Sequence, residues 1–201
     1  MAYSSWLHPD KTSGSGNGTV NVGAAEHTGR SVRNDVLTFG AVNCTDVLVT
    51  CNQTGAVEAV SADASSQAVA KVGATVTVTG VSNSSKLTFS LGATNNIPLV
   101  LPSSYSAGGV STNNGAAIAG DPGATAQYTF SIAFTVAANE TTADKVSQLV
   151  VTDNAGNTAT WTFTQSAGDA YLTLSASTIT IPASGTAQAL TVTSNTSWTI
   201  S

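Results

Sequence analysis

The stretch "DNAGN" at Asp153–Asn157 gathers carboxylate and amide oxygens of the kind that ligate calcium. A calcium loop needs further acidic residues at set spacing, and the flanking sequence does not supply them. The same five residues fit a hairpin turn, in which Asn and Asp bond their own backbone and Gly takes the left-handed conformation. "GDPG" (120–123) reads as a second turn, with Pro122 fixing φ. "SGSGNG" (13–18) has the glycines of a phosphate loop, but it leads into a strand pattern and lacks the lysine. Acid–base hydrolysis would need paired carboxylates, yet Glu26, Glu58 and Glu140 lie singly in turn-like sequence. A serine nucleophile would need a G-x-S-x-G elbow and a histidine partner, and no such elbow occurs. His8 and His27 stand alone, and two cysteines are too few for a metal site. Cys44 and Cys51 flank "TDVLVT", a strand pattern. Seven apart on one strand they would face opposite sides, so a bridge requires an intervening turn. No catalytic residue, metal ligand or cofactor site is assigned, and the chain is expected not to be an enzyme.

Sugar stacking is the remaining chemistry, through Trp6, Trp161, Trp198, Tyr105, Tyr128 or Tyr171. Trp161 alternates with Phe163 and belongs to a sheet interior. Tyr105 differs, because it lies amid small polar residues in "PLVLPSSYSAGG". With Asn113 and Asn114 it makes the candidate ligand or partner loop.

These residues must be held by strands. "ATVTVTG" (74–80), "KLTFSLG" (86–92), "QYTFSIAFTV" (127–136), "QLVVTD" (148–153), "TATWTFTQ" (158–165), "YLTLS" (171–175), "TITIP" (178–182) and "ALTVTS" (189–194) all alternate apolar with polar. Turn residues punctuate them and no amphipathic helix is evident. The expectation is an all-β chain of antiparallel sandwiches. Charged residues are 8% of the 201, and the net charge is −5 with few scattered Lys and Arg. A basic face for nucleic acid is therefore not expected. No apolar run approaches the length of a membrane-spanning helix. The opening "MAYSSWLHPDK" lacks the basic and apolar regions of a signal peptide, so the expectation is either export by another route or assembly in the cytoplasm.

The chain also repeats itself. "AAEHTGRSVRNDVLTF" (24–39) aligns without gaps on "AANETTADKVSQLVVT" (137–152), and "DVLVTCNQTG" (46–55) matches "ATWTFTQSAG" (159–168) with small slippage, the displacements being 112–113. "TVTVTGVSNSSKLTF" (75–89) matches "ALTVTSNTSWTIS" (189–201), again at a displacement of about 112 residues. One complete unit thus spans 56–168, with an insertion at 92–125. Residues 1–55 are the back part of a preceding unit and 169–201 the front part of a following one. Trp198 falls on Lys86, and Trp6 at the same place in the first unit.

Residues 169–201, followed in an idealised repeat by "SSWLHPDKTSGSGNGTVNV" and the strands after it, resemble the BACON domain. That is an immunoglobulin-like β-sandwich common in Bacteroidales proteins and in the crAss-like phages that infect them. The resemblance implies a spacer or interaction module, with weak glycan binding as a further property. Among phage proteins it implies a capsid auxiliary (decoration) protein or a head fibre component, located in the virion and contacting a major capsid protein. The competing expectation is a carbohydrate-binding module on a cell surface or secreted.

Physically, Leu172, Leu174, Ile179, Ile181, Leu190, Val192 and Trp198 give the last segment an apolar face that two or three strands cannot bury alone. Leaving seven such side chains wet forfeits on the order of 10 kcal/mol, comparable to the stability of a domain. The first segment, with Val20, Val22, Val36, Leu37, Phe39, Val47 and Val49, has the reciprocal need. Leu172, Leu174, Ile179, Ile181, Leu190, Val192 and Trp198, with Trp6, form the candidate subunit interface, and completion between chains by strand addition is favoured over completion within one chain.

Overall fold

The computed structural model describes residues 3–201; Met1 and Ala2 lie outside the described residues. Among the described residues the protein is all-β, without helices. The first segment holds β1 (Leu7–Pro9), β2 (Val22–Ala24), β3 (Arg33–Phe39) and β4 (Val47–Gln53). The middle holds β5 (Val60–Ala62), β6 (Ser66–Val69), β7 (Ala74–Ser82), β8 (Leu87–Asn95), β9 (Ser104–Ala107), β10 (Val110–Asn113), β11 (Tyr128–Val136), β12 (Lys145–Asp153) and β13 (Thr158–Gln165). The last holds only β14 (Leu172–Leu174) and β15 (Val192–Ser194).

The middle strands form a five-stranded sheet, in the order β10-β9-β11-β7-β5, and a four-stranded sheet, β6-β13-β12-β8. All pairings are antiparallel except β6 with β13. Period-2 alternation turns one row from each sheet inward. Val76, Val78, Phe130, Ile132 and Phe134 meet Leu87, Phe89, Leu149, Val151, Trp161 and Phe163 in one core. Aromatic rings interlock within it. Phe130 sits edge-on to Trp161 at 6.1 Å and to Phe89 at 5.8 Å, and Phe134 edge-on to Phe163 at 5.4 Å. These are preferred geometries for ring pairs.

The insertion is part of this core. β9 and β10 extend the five-stranded sheet, while Ile97, Leu99, Tyr105, Ala107 and Ile118 are buried. Its far end, at Gly123 and Ala124, accepts hydrogen bonds from the backbone N–H groups of Arg30 and Ser31.

The internal repeat has a definite register. β3 pairs with β4 from Arg33↔Gln53, and β12 with β13 from Lys145↔Gln165, a displacement of 112 residues. β5 pairs with β7 as Val60↔Ser82 and β14 with β15 as Leu172↔Ser194, again 112 apart. The gapless match of 24–39 with 137–152, at 113, is thus one residue out of step, and the slippage between 46–55 and 159–168 resolves to 112. A one-residue slip turns every side chain to the other face. At 112 the buried Leu37 falls on the buried Leu149, as the shared fold requires.

Two strand expectations are corrected in the last segment. Residues 178–182 form no strand, and of 189–194 only Val192–Ser194 pairs. The middle unit gives the reason. β6, the counterpart of 178–181, exists by pairing with β13, and the first part of β7 by pairing with β11. Neither partner is present in 169–201, and a strand without a ladder leaves its backbone groups to water.

Candidate functional site

Two junctions tie the segments to the middle unit, and they are built alike. At the first, Asn83 donates from Nδ2 to the carbonyls of Thr28 and Val57, both at 3.0 Å, and accepts the Ala59 N–H at 2.9 Å. At the second, Asn195 donates to the carbonyls of Glu140 and Asp169, both at 2.9 Å, and accepts the Tyr171 N–H at 3.0 Å. Every member is displaced by 112. The same holds for Ser82 and Ser194, whose hydroxyls donate to Ala59 and Tyr171 carbonyls at 2.7 and 2.8 Å. It holds too for Ala56 and Gly168, whose N–H groups donate to Gly29 and Thr141 carbonyls at 2.9 and 2.7 Å. Gln53 and Gln165, closing their hairpins, bond the Ala25 and Ala137 carbonyls at 2.9 and 2.7 Å. One asparagine thus joins the loop of a preceding unit, the linker and the first strand of the next. Each junction also carries a charged clasp, Arg30 bonded to Asp121 and lying 3.5 Å from Glu58 at the first, and Lys71 at 2.6 Å from Asp169 at the second.

The junctions lie at opposite ends of the middle sandwich. Asn83 follows the end of β7 where Ser82 faces Tyr128, and Asn139–Glu140 follow the end of β11 where Val136 faces Ala74. The nine-residue strands between hold these ends about 27 Å apart.

The first segment presents an open half-core. Leu37 is buried, but Phe39 and Val49 are each 43% exposed, whereas their counterparts Val151 and Trp161 are 0% and 2% exposed. Val20 and Val22 are likewise open, and their counterparts Ile132 and Phe134 are core. Beside them is a cavity of about 650 Å³ lined by Tyr3, Pro9, residues 11–20, Leu37 and Phe39. Residues 16–20 on its wall are the counterparts of 128–132 on β11, and Leu37 and Phe39 those of Leu149 and Val151 on β12.

The candidate interface residues of the last segment are open as well. Leu172, Leu174, Ile179, Ile181, Leu190 and Trp198 are exposed and Val192 is half-buried. The face is less regular than expected, since only Leu172, Leu174 and Val192 stand on strands. Trp6 belongs to a different setting. It is half-buried, with the Arg33 guanidinium 4.6 Å from its ring centre, and the next residue, Leu7, is buried.

Next to Trp6, Asp35 accepts the N–H groups of Ser4 and Val36. The bond from Ser4 is the main cause holding its carboxyl below the usual carboxylate range. A carboxylate lowered on folding lends stability that is full above its unfolded value of 3.8 and is lost as pH falls through the lower folded value. Amide exchange at Ser4 and Leu7 is therefore expected to rise below that range, and to be already raised at neutral pH in Asp35→Asn.

The ligand loop proposed around Tyr105 is corrected. Tyr105 is 4% exposed, packs on Phe89 with ring centres 5.0 Å apart, and its hydroxyl accepts the Leu87 N–H at 3.3 Å. Small neighbours make room for the ring; they do not display it. Asn114 bonds both the N–H and the carbonyl of Phe89, at 2.7 and 2.9 Å, serving as one rung of sheet for β8. Asn113 is exposed at the end of β10. Tyr105→Phe is expected to cost about 1–2 kcal/mol in urea unfolding, because it strands the buried Leu87 N–H.

Trp161 and Tyr128 are also interior. Cys44 and Cys51 are free thiols, with Cys44 in the turn before β4 and Cys51 on the inner face whose counterpart is Phe163. The asparagine clamps were legible only through the match of 75–89 with 189–201, which lays Asn83 on Asn195. No protein-family model and no curated protein matches this chain.

Proposed function

We propose that this chain is a non-enzymatic structural protein that assembles with further copies of itself through the open apolar faces of its first and last segments. The single observation that carries the reading is the contrast at equivalent positions. Phe39 and Val49 are open to water where Val151 and Trp161 are sealed. Apolar surface of that extent is commonly an interaction site, and two-stranded pieces are marginal without a partner. Of the rings considered for sugar stacking, Tyr105, Tyr128 and Trp161 are buried in the core, which leaves Trp198, Tyr171 and the half-buried Trp6 as those a sugar could reach.

Through its BACON-like repeats, the setting we propose is a phage virion. There the chain acts as a capsid auxiliary or head fibre protein, assembled in the host cytoplasm against a major capsid protein. Fixed junctions suit a load-bearing array, because each clamp leaves consecutive units little freedom. Size-exclusion with light scattering tests the assembly. A multiple of the 20.0 kDa chain mass is expected. A solitary monomer whose two ends exchange amide protons freely would overturn the reading. Mass spectrometry of particles purified from a phage that encodes the chain tests the virion setting, and absence from them would remove it.

A further inference from the structure

We infer that residues 172–194 of one chain complete the first segment of a second chain in one defined register, so that chains join head to tail. The inference rests on the self-assembly reading above and adds to it the donor, the acceptor and their alignment. In the middle unit β7 lies against β11 from Tyr128↔Ser82 to Val136↔Ala74, and β6 lies parallel to β13 with Phe163 opposite Gln67. Displacing each strand to its counterpart pairs 186–194 with 16–24. Val20 then lies opposite Leu190, Thr19 opposite Thr191 and Gly18 opposite Val192. Residues 178–181 run beside 50–53 on β4.

Three observations favour this occupant. First, the stretches that lack strand structure here, 178–181 and 186–191, are those whose counterparts depend on β13 and β11. The first segment holds the counterparts of those two partners, β4 and the stretch through β2. Second, the sizes are complementary. In the middle unit Gly80 admits the Phe130 ring, and a Cβ at Gly80 would meet Phe130 Cζ at 2.5 Å. In the proposed pair the small residue is Gly18, with open space about it, and the larger one is Val192. Leu190 and Val192 would enter the cavity beside Leu37 and Phe39. Third, the two segments are clamped at opposite ends of the middle unit, about 27 Å apart. One chain's donor cannot reach its own acceptor without releasing a clamp. A donor at one end and an acceptor at the other make a heterologous contact, which continues as a filament or closes as a ring. The product alternates intact and composite sandwiches. Trp6 and Leu7 hold their place in the acceptor, so the donor strand ends at Asn195 and residues 196–201 are dispensable.

Register-specific cross-linking of the full chain, with Cys44→Ser and Cys51→Ala, tests this. Chains carrying Thr19→Cys are mixed with chains carrying Thr191→Cys and oxidised. The mixed disulfide should exceed that with Thr193→Cys by about tenfold, because directly opposed Cβ atoms lie about 5 Å apart and diagonal ones about 7 Å. A chain bearing both Thr19→Cys and Thr191→Cys should give a ladder of linked chains. Leu190→Asp should abolish assembly, while the near-ultraviolet signal of the buried Trp161 stays native. Multimers by light scattering without the Thr191 preference would overturn the register and leave self-assembly standing. A double-cysteine chain that closes only on itself would overturn the direction of completion. A monomer with no cross-link would overturn both readings.

Discussion

Asn83→Ala is expected to destabilise the chain by about 3–5 kcal/mol, read as a fall in the urea midpoint at unchanged slope. Asn83 is 4% exposed and its amide serves three backbone groups, the carbonyls of Thr28 and Val57 and the N–H of Ala59. Truncation leaves all three without a partner, at about 1–3 kcal/mol for each group that water does not reach. Arg30 also bonds the Asn83 carbonyl, so the charged clasp would loosen with it. The matching change at the second junction, Asn195→Ala, removes the same three bonds from a less buried setting. There water takes over, and about 1 kcal/mol is expected. Equal losses at the two sites would show that burial does not govern the clamp. Amide exchange at Ala59 and Tyr171 reports which junction has opened.

Trp161→Ala should cost about 3–5 kcal/mol, the range for deleting a large aromatic side chain from a packed core. Trp161 is 2% exposed and edge-on to Phe130. Its removal takes ring contacts from both sheets and leaves a void that a close-packed interior cannot collapse to fill. The counterpart in the first segment is Val49, which is 43% exposed. In an isolated chain Val49→Ala should lie within about 0.5 kcal/mol of the parent, as for most surface changes. If Val49 is sealed by a second chain, the same variant should weaken assembly at low protein concentration. Two residues at one position of the repeat thus separate the stability of the intact unit from that of the interface.

Alternation of small β-branched and polar residues was enough to establish the all-β class and most strands of the middle unit. The repeat was legible too, because strands of one fold repeat the same inward positions. Its step was not, since "AAEHTGRSVRNDVLTF" matches at 113 by residue type while Leu37 and Leu149 face inward together only at 112. Type matching rewards identical letters, whereas the fold rewards the face on which a side chain stands.

Tyr105 shows the other limit. Nothing in "SSYSAGG" says whether small residues flank an exposed ring or make space for a buried one. Pairing of β9 with β11 decided it, placing Ala107 opposite Phe130 and turning Tyr105 onto Phe89. "TITIP" fails for a related reason: it has the letters of a strand, but in 169–201 it has no neighbour to bond. Alternation is a local property and was carried by the sequence alone, together with the turns and the repeat they punctuate. Whether a given apolar residue is sealed or open, whether a strand-like stretch pairs, and which asparagine bridges two units all depend on what stands beside it in space. Those were decided by the tertiary structure, because backbone hydrogen bonds and burial are satisfied by neighbours remote in the chain.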